Sequence, residues 1–184
     1  RSTLFPYTTL FRSATGYGLV YFTEAMLKRH GLGFEGMRVA VSGSGNVAQY
    51  AIEKAMQFGA RVVTASDSSG TVVDEAGFTA EKLARLREIK ASRDGRVADY
   101  AREFGLTYLE GKQPWGVPVD IALPCATQNE LDAEAARTLI SNGVKAVAEG
   151  ANMPTTIDAT DLFLEAGVLF APGRSEEHTS ELQS

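Results

Sequence analysis

Short runs of Val, Ala and Ile alternate with helix-length segments along this chain, and that alternation narrows the fold more than any single residue does. The runs are residues 38–42 (RVAVS), 61–66 (RVVTAS), 119–123 (VDIAL), 145–148 (KAVA) and 168–170 (VLF). Between them lie segments with apolar residues at helical spacing or with charged faces, at 15–30, 46–58, 79–91, 94–104, 131–141 and 155–165. Strands this short and this continuously apolar belong in a parallel sheet covered on both sides. The expected fold is therefore α/β: a Rossmann-like, doubly wound, mostly parallel sheet with helices on both faces and right-handed crossovers. Ligands of such sheets bind beyond the carboxyl ends of the strands. That rule singles out residues 42–48, 66–69, 123–129 and 149–152.

Composition removes several function classes. A net charge of -5 argues against a nucleic-acid partner. No apolar run approaches the roughly 18 residues of a membrane span. One cysteine, Cys125, excludes an internal disulfide framework and a multi-cysteine metal site. The two histidines are His30 and His178. The first suits a helix C-terminus, where the dipole favours a cation, and the second lies in a tail of different character. A His-centred catalytic triad and a His-rich metal site are therefore not expected, and the cytoplasm is the expected compartment.

The ends differ from the rest. Residues 1–13 and 174–184 have no period that continues into their neighbours, and the tail RSEEHTSELQS follows letter for letter from the codons of a sequencing adapter. The expected organisation is an artefactual flank at 1–13, a truncated dinucleotide-binding domain at 14–173 and a second artefactual flank at 174–184.

Four motifs occupy the strand ends. Gly43, Ser44, Gly45, Asn46, Val47 and Ala48 form a G-x-G-x-x-A between a strand and a helix. In that setting the first glycine permits the turn, the second lets a pyrophosphate approach, and the alanine lets the helix pack closely. Asp67 and Ser68 end the next strand. An acid there takes the ribose hydroxyls of NAD, whereas a 2′-phosphate needs hydroxyls and cations, which Ser68, Lys90, Arg93 and Arg96 can supply. Lys90 to Arg96 is equally readable as a solvated helix face. The third motif, Pro124 to Asn129 (PCATQN), offers polar groups where a nicotinamide ribose would lie. Cys125 reads as a buried structural thiol, and Thr127, Gln128 and Asn129 also suit a turn and a helix cap. The fourth, Glu149 to Pro154 (EGANMP), contains Asn152, which either holds a carboxamide through its amide or caps a helix.

Taken together, ATGYG (14–18), SGSGNVAQYA (42–51), SDSSG (66–70), IKASRDGRV (89–97), LPCATQNE (123–130) and EGANMPTT (149–156) resemble the cofactor-binding domain of bacterial NADP-type glutamate dehydrogenases. The resemblance covers residues 14–173. It implies reversible oxidative deamination of L-glutamate to 2-oxoglutarate and ammonium, with hydride passing to NADP and NAD the lesser choice. It places Thr15 near the nicotinamide carboxamide and Gly43, Ser44, Gly45, Asn46 and Val47 around the pyrophosphate. Ser68, Lys90 and Arg93 or Arg96 then face the 2′-phosphate, and Ala126, Thr127, Gln128, Asn129 and Asn152 line the nicotinamide riboside. It further implies a homohexamer and a substrate domain bearing the catalytic lysines and aspartate, none of which is in this chain. A fragment of that kind is expected to be inactive. Two alternatives stand beside it: a leucine, valine or phenylalanine dehydrogenase domain using NAD, and a stand-alone nucleotide-binding module.

Overall fold

The computed structural model describes residues 5–173, and for residues 5–13 the backbone alone. The element order begins with helix α1 (Phe5–Lys28), β1 (Arg38–Val41), α2 (Asn46–Gln57), β2 (Arg61–Val62), β3 (Thr64–Asp67) and β4 (Gly70–Val73). It continues with α3 (Ala80–Ala91), α4 (Val97–Phe104), β5 (Thr107–Glu110), β6 (Ile121–Leu123), α5 (Ala133–Ser141), β7 (Ala146–Ala148), α6 (Ile157–Glu165) and β8 (Leu169–Ala171).

The main sheet has five parallel strands in the order β2-β1-β6-β7-β8. Its strands are buried on both faces, and their side chains alternate between two cores. Val39, Val41, Ile121, Leu123, Ala146 and Ala148 point to one, with α1 and α2 above them. Ala40, Ala122 and Val147 point to the other, with α5, α6 and Trp115. This two-sided burial is why the strands read as unbroken apolar runs rather than alternating ones. Gly16 lets α1 cross α2 closely, since a Cβ there would lie 2.7 Å from Tyr50 Cβ and 2.8 Å from the Val47 carbonyl oxygen.

Three features depart from the sequence pattern. Helix α1 runs unbroken from Phe5, so helical backbone enters residues 14–28 from the segment expected to be a foreign flank. The other expected flank, 174–184, lies outside the described residues. The run 61–66 is two strands, not one. Thr64 Oγ1 accepts from the Val41 N–H at 3.0 Å and donates to the Val41 carbonyl at 2.9 Å. A side chain thus takes the place of the next backbone rung on β1, and the chain peels away. It then enters a three-stranded antiparallel sheet, β3-β4-β5, that the parallel pattern did not announce. Strands β4 and β5 were missed because neither is apolar and alternating in the way a strand signal requires: β5 is TYLE, exposed at both ends.

Candidate nucleotide-binding site

The four motif loops meet at the carboxyl edge of the main sheet: hydrogen bonds tie the first to the second and to the third, and the third to the fourth. Gly43 has φ +88°, a left-handed conformation that favours glycine. Its N–H donates to Ser66 Oγ at 2.8 Å, and Ser66 N–H donates back to the Gly43 carbonyl at 3.1 Å, which ties the first motif to the second. A Cβ on Gly43 would lie 3.1 Å from the Cys125 carbonyl oxygen and 3.4 Å from Ala126, so the turn abuts the third motif directly. The third and fourth are zipped together: Gly150 and Ala151 N–H donate to the Pro124 carbonyl, Asn129 N–H to Met153, and Leu131 N–H to Pro154. Gly150 is needed there, because a Cβ would fall 2.6 Å from Cys125 Sγ and 2.7 Å from Leu19 Cδ2.

Helix α2 starts at this junction. Gly45 is its N-cap, in extended conformation and with no side-chain capping bond. A Cβ on Gly45 would meet nothing within 4 Å. An uncapped helix N-terminus leaves amide donors and a positive dipole end facing outward, the arrangement that accepts phosphate. Beside it lies a cleft of about 430 Å³ lined by Gly43, Ser44, Asp67, Ser68, Lys112, Ala126, Thr127 and Glu130, among others. A second, smaller cleft of about 210 Å³ lies between α1 and the ends of β7 and β8, and Thr15, Gly18, Phe22, Glu149 and Gly150 line it.

The sequence-derived candidates divide accordingly. Gly43, Ser44, Asp67, Ser68, Ala126 and Thr127 line the larger cleft, and Thr15 lines the smaller. Asn46 is exposed and Val47 half-buried in the first turn of α2. Gln128, Asn129 and Asn152 are exposed on the zipped loops, and Asn129 takes a left-handed φ of 58°. Arg93 and Arg96 are exposed beyond α3.

Asp67 is held from within the protein. Its Oδ1 accepts from the Ser69 N–H at 2.9 Å and the Ser69 hydroxyl at 2.6 Å. Its Oδ2 accepts from the Val97 N–H at 2.7 Å and lies 3.6 Å from Lys90 Nζ. Burial pushes its carboxyl up, but the bonds from Ser69 and Val97 and the charge of Lys90 outweigh that and hold it below its ordinary value. Asp67 and Lys90, rival ligands in the sequence, are thus partners. Together they pin the β3–β4 turn, which presents Ser68, to the start of α4. Cys125 is buried, and burial pushes its thiol well above the ordinary range. Among the described residues there is no group of three or more His, Cys, Asp or Glu able to hold a metal. No helix among them is long and apolar enough to cross a membrane.

Residues 10–176 match the Glutamate/Leucine/Phenylalanine/Valine dehydrogenase family. The chain belongs to this family. It is 92% identical over 162 residues to an NADP-specific glutamate dehydrogenase of Salmonella typhimurium and 86% identical to one of Escherichia coli. In each comparison 88% of this chain is covered but only 36% of the relative, so the chain spans about a third of the relatives' length. The fold agrees with solved glutamate dehydrogenases: that of Plasmodium falciparum aligns with TM-score 0.85 at 43% identity, covering 89% of this chain and 35% of that one. A hetero-hexameric glutamate dehydrogenase from Thermus thermophilus aligns with TM-score 0.69 at 27% identity, covering 88% of this chain and 36% of that one.

In this family member the cleft residues that escaped the sequence patterns include Lys112 and Glu130. Lys112 follows the unannounced strand β5 and is tied down by its own carbonyl, which accepts from Thr71 Oγ1 at 2.6 Å. Only the antiparallel sheet carries it to the cleft. Glu130 is the last residue of the LPCATQNE signature, from which no role for it was read.

Proposed function

We propose that the chain is the cofactor-binding domain of an NADP-dependent glutamate dehydrogenase, and that the larger cleft takes the nucleotide. The carrying observation is the 92% identity to the NADP-specific enzyme of Salmonella typhimurium, with the cleft's geometry in support. The residues fit the group. Gly43 supplies the left-handed turn, Gly45 leaves the approach open, and the uncapped start of α2 offers amide donors to a pyrophosphate. Asn46 and Val47 belong to that first turn. Bound there, the cofactor supplies the hydride acceptor for deamination of glutamate to 2-oxoglutarate and ammonium.

The protein's own part is to bind, orient and discriminate. Ser68 and Lys112 bring a hydroxyl and a cation to the adenosine end, where a 2′-phosphate would sit. Asp67 acts there through the turn it anchors, and Lys90 through Asp67, while Arg93 and Arg96 add positive charge nearby. Ala126, Thr127, Gln128 and Asn129 form the wall on the nicotinamide side, with Asn152 and Thr15 further along the edge. The acid–base groups and the substrate pocket belong to a separate domain of the whole enzyme, which is a cytoplasmic homohexamer; residues 14–173 by themselves do not turn over glutamate. Calorimetric titration of the chain with NADPH and NADH tests this. NADPH is expected to bind more tightly. No heat from a folded sample with either nucleotide would overturn the assignment of the cleft. NADH binding as tight as NADPH would overturn the choice of cofactor and favour the NAD-using branch of the family.

A further inference from the structure

Glu130 is a buried acid lining the larger cleft, at 6% exposure. Its Oε2 accepts from the Ala126 N–H at 3.0 Å and the Thr127 N–H at 2.7 Å. The Ser42 hydroxyl lies beside this carboxylate and favours its charged form. Ser42 Oγ in turn accepts from the Cys125 N–H at 2.9 Å. Glu130 thus holds two successive residues after β6, Ala126 and Thr127, while Ser42, immediately before the Gly43 turn, holds Cys125 beside them.

This is not helix capping under another name. Helix α5 has its own cap, Asp132, whose exposed side chain accepts from the Ala135 N–H at 2.9 Å. Nor is it favourable burial for its own sake. Burial pushes the Glu130 carboxyl up, and although the nearby Ser42 hydroxyl and the bonds from Thr127 and Ala126 offset this, it stays above its ordinary value. The anchored loop then continues into Asn129 at φ 58°, whose N–H donates to the carbonyl of Met153 at φ 46°. Two non-glycine residues in left-handed conformation, facing each other across the loop pair, persist only where the surroundings over-determine them. Glu130 supplies that determination from one side.

We propose that Glu130 is a positioning residue: it clamps the backbone of residues 125–127 against the Gly43 turn, so that the nicotinamide half of a bound dinucleotide meets a preformed wall. This rests on the cleft being the nucleotide site. It predicts an effect confined to one half of the ligand, which general destabilisation would not produce.

The test uses the chain with Glu130→Ala and Glu130→Gln, hydrogen exchange at Ala126 and Thr127, and titrations with NADPH and with 2′,5′-ADP, which lacks the nicotinamide half. In Glu130→Ala, exchange at both amides should quicken and NADPH affinity should fall about tenfold, with 2′,5′-ADP within about twofold of the parent. Glu130→Gln keeps an acceptor for the two amides and should restore most of the NADPH affinity. Unchanged exchange, unchanged NADPH binding, equal losses for both probes, or a glutamine variant no better than alanine would each overturn the proposal. Should Glu130→Ala fail to fold, Ser42→Ala removes the acceptor of the Cys125 N–H in the same clamp and should weaken NADPH while sparing 2′,5′-ADP; equal binding of both probes to it and to the parent overturns the clamp. A parent chain that binds neither probe overturns the nucleotide site and the clamp with it, whereas a parent that binds beside an unaffected Glu130→Ala overturns the clamp alone.

Discussion

Gly43 and Gly45 stand two residues apart in one motif, yet alanine should fail at them for different reasons. At Gly43 the φ of +88° is strained for any L side chain, a cost of about 1–2 kcal/mol. The new Cβ would also press on the Cys125 carbonyl oxygen at 3.1 Å. The backbone cannot easily yield: Gly43 N–H is bound to Ser66 Oγ, and Cys125 N–H to Ser42 Oγ. Crowding a rigid site adds about 1–3 kcal/mol. Gly43→Ala should therefore lose about 2–5 kcal/mol of folding stability. Gly45 has an ordinary φ of -81° and open space where its Cβ would go. Only the poorer N-cap quality of alanine counts against it, at most about 1 kcal/mol. That open space is where the pyrophosphate must approach, so Gly45→Ala should keep the fold and lose NADPH affinity by about tenfold or more. Urea unfolding followed through Trp115, the only tryptophan in the chain, reads the first quantity, and calorimetric titration reads the second. A Gly43→Ala variant no less stable than Gly45→Ala would refute the steric reasoning. A Gly45→Ala variant that titrates like the parent would refute the placement of the phosphates.

Asp67→Asn should cost about 1–3 kcal/mol at neutral pH, because an amide leaves one of the donors from Ser69, Val97 and Lys90 facing an N–H instead of an oxygen. The Asp67 carboxyl is depressed in the folded chain, so its contribution is complete above the ordinary carboxylate range near pH 4 and is lost as pH falls through the folded value. Urea midpoints of parent and variant should accordingly converge on acidification, and a gap that widens toward low pH would contradict the assigned partners. Cys125, buried and with its thiol pushed up, should react with iodoacetamide at pH 8 about a hundredfold or more slower in the folded chain than in urea; equal rates would refute its structural role.

Much of the site was legible because its chemistry is local. The glycine spacing at 43 and 45, the strand before it and the helix after it are neighbours in sequence, and backbone geometry alone ties them to a phosphate turn. The partners of Asp67 were not legible: an acid after a strand looks like a ribose ligand until α4 delivers the Val97 amide from 30 residues away. Glu130 was hidden for a similar reason, since Ser42, which stands beside its carboxylate and holds Cys125, comes from the far side of a crossover. The break at Val63 was hidden too, because it depends on one threonine hydroxyl replacing a backbone rung.

The sequence by itself determined the parallel sheet, the order of its helices and the four loops at its carboxyl edge, because apolar periodicity and glycine conformation act over a few residues. Tertiary structure alone decided which polar side chains are left for a ligand. A carboxylate or an ammonium is free or already partnered according to what the fold brings within about 3 Å of it, and residues far apart in the chain make that choice.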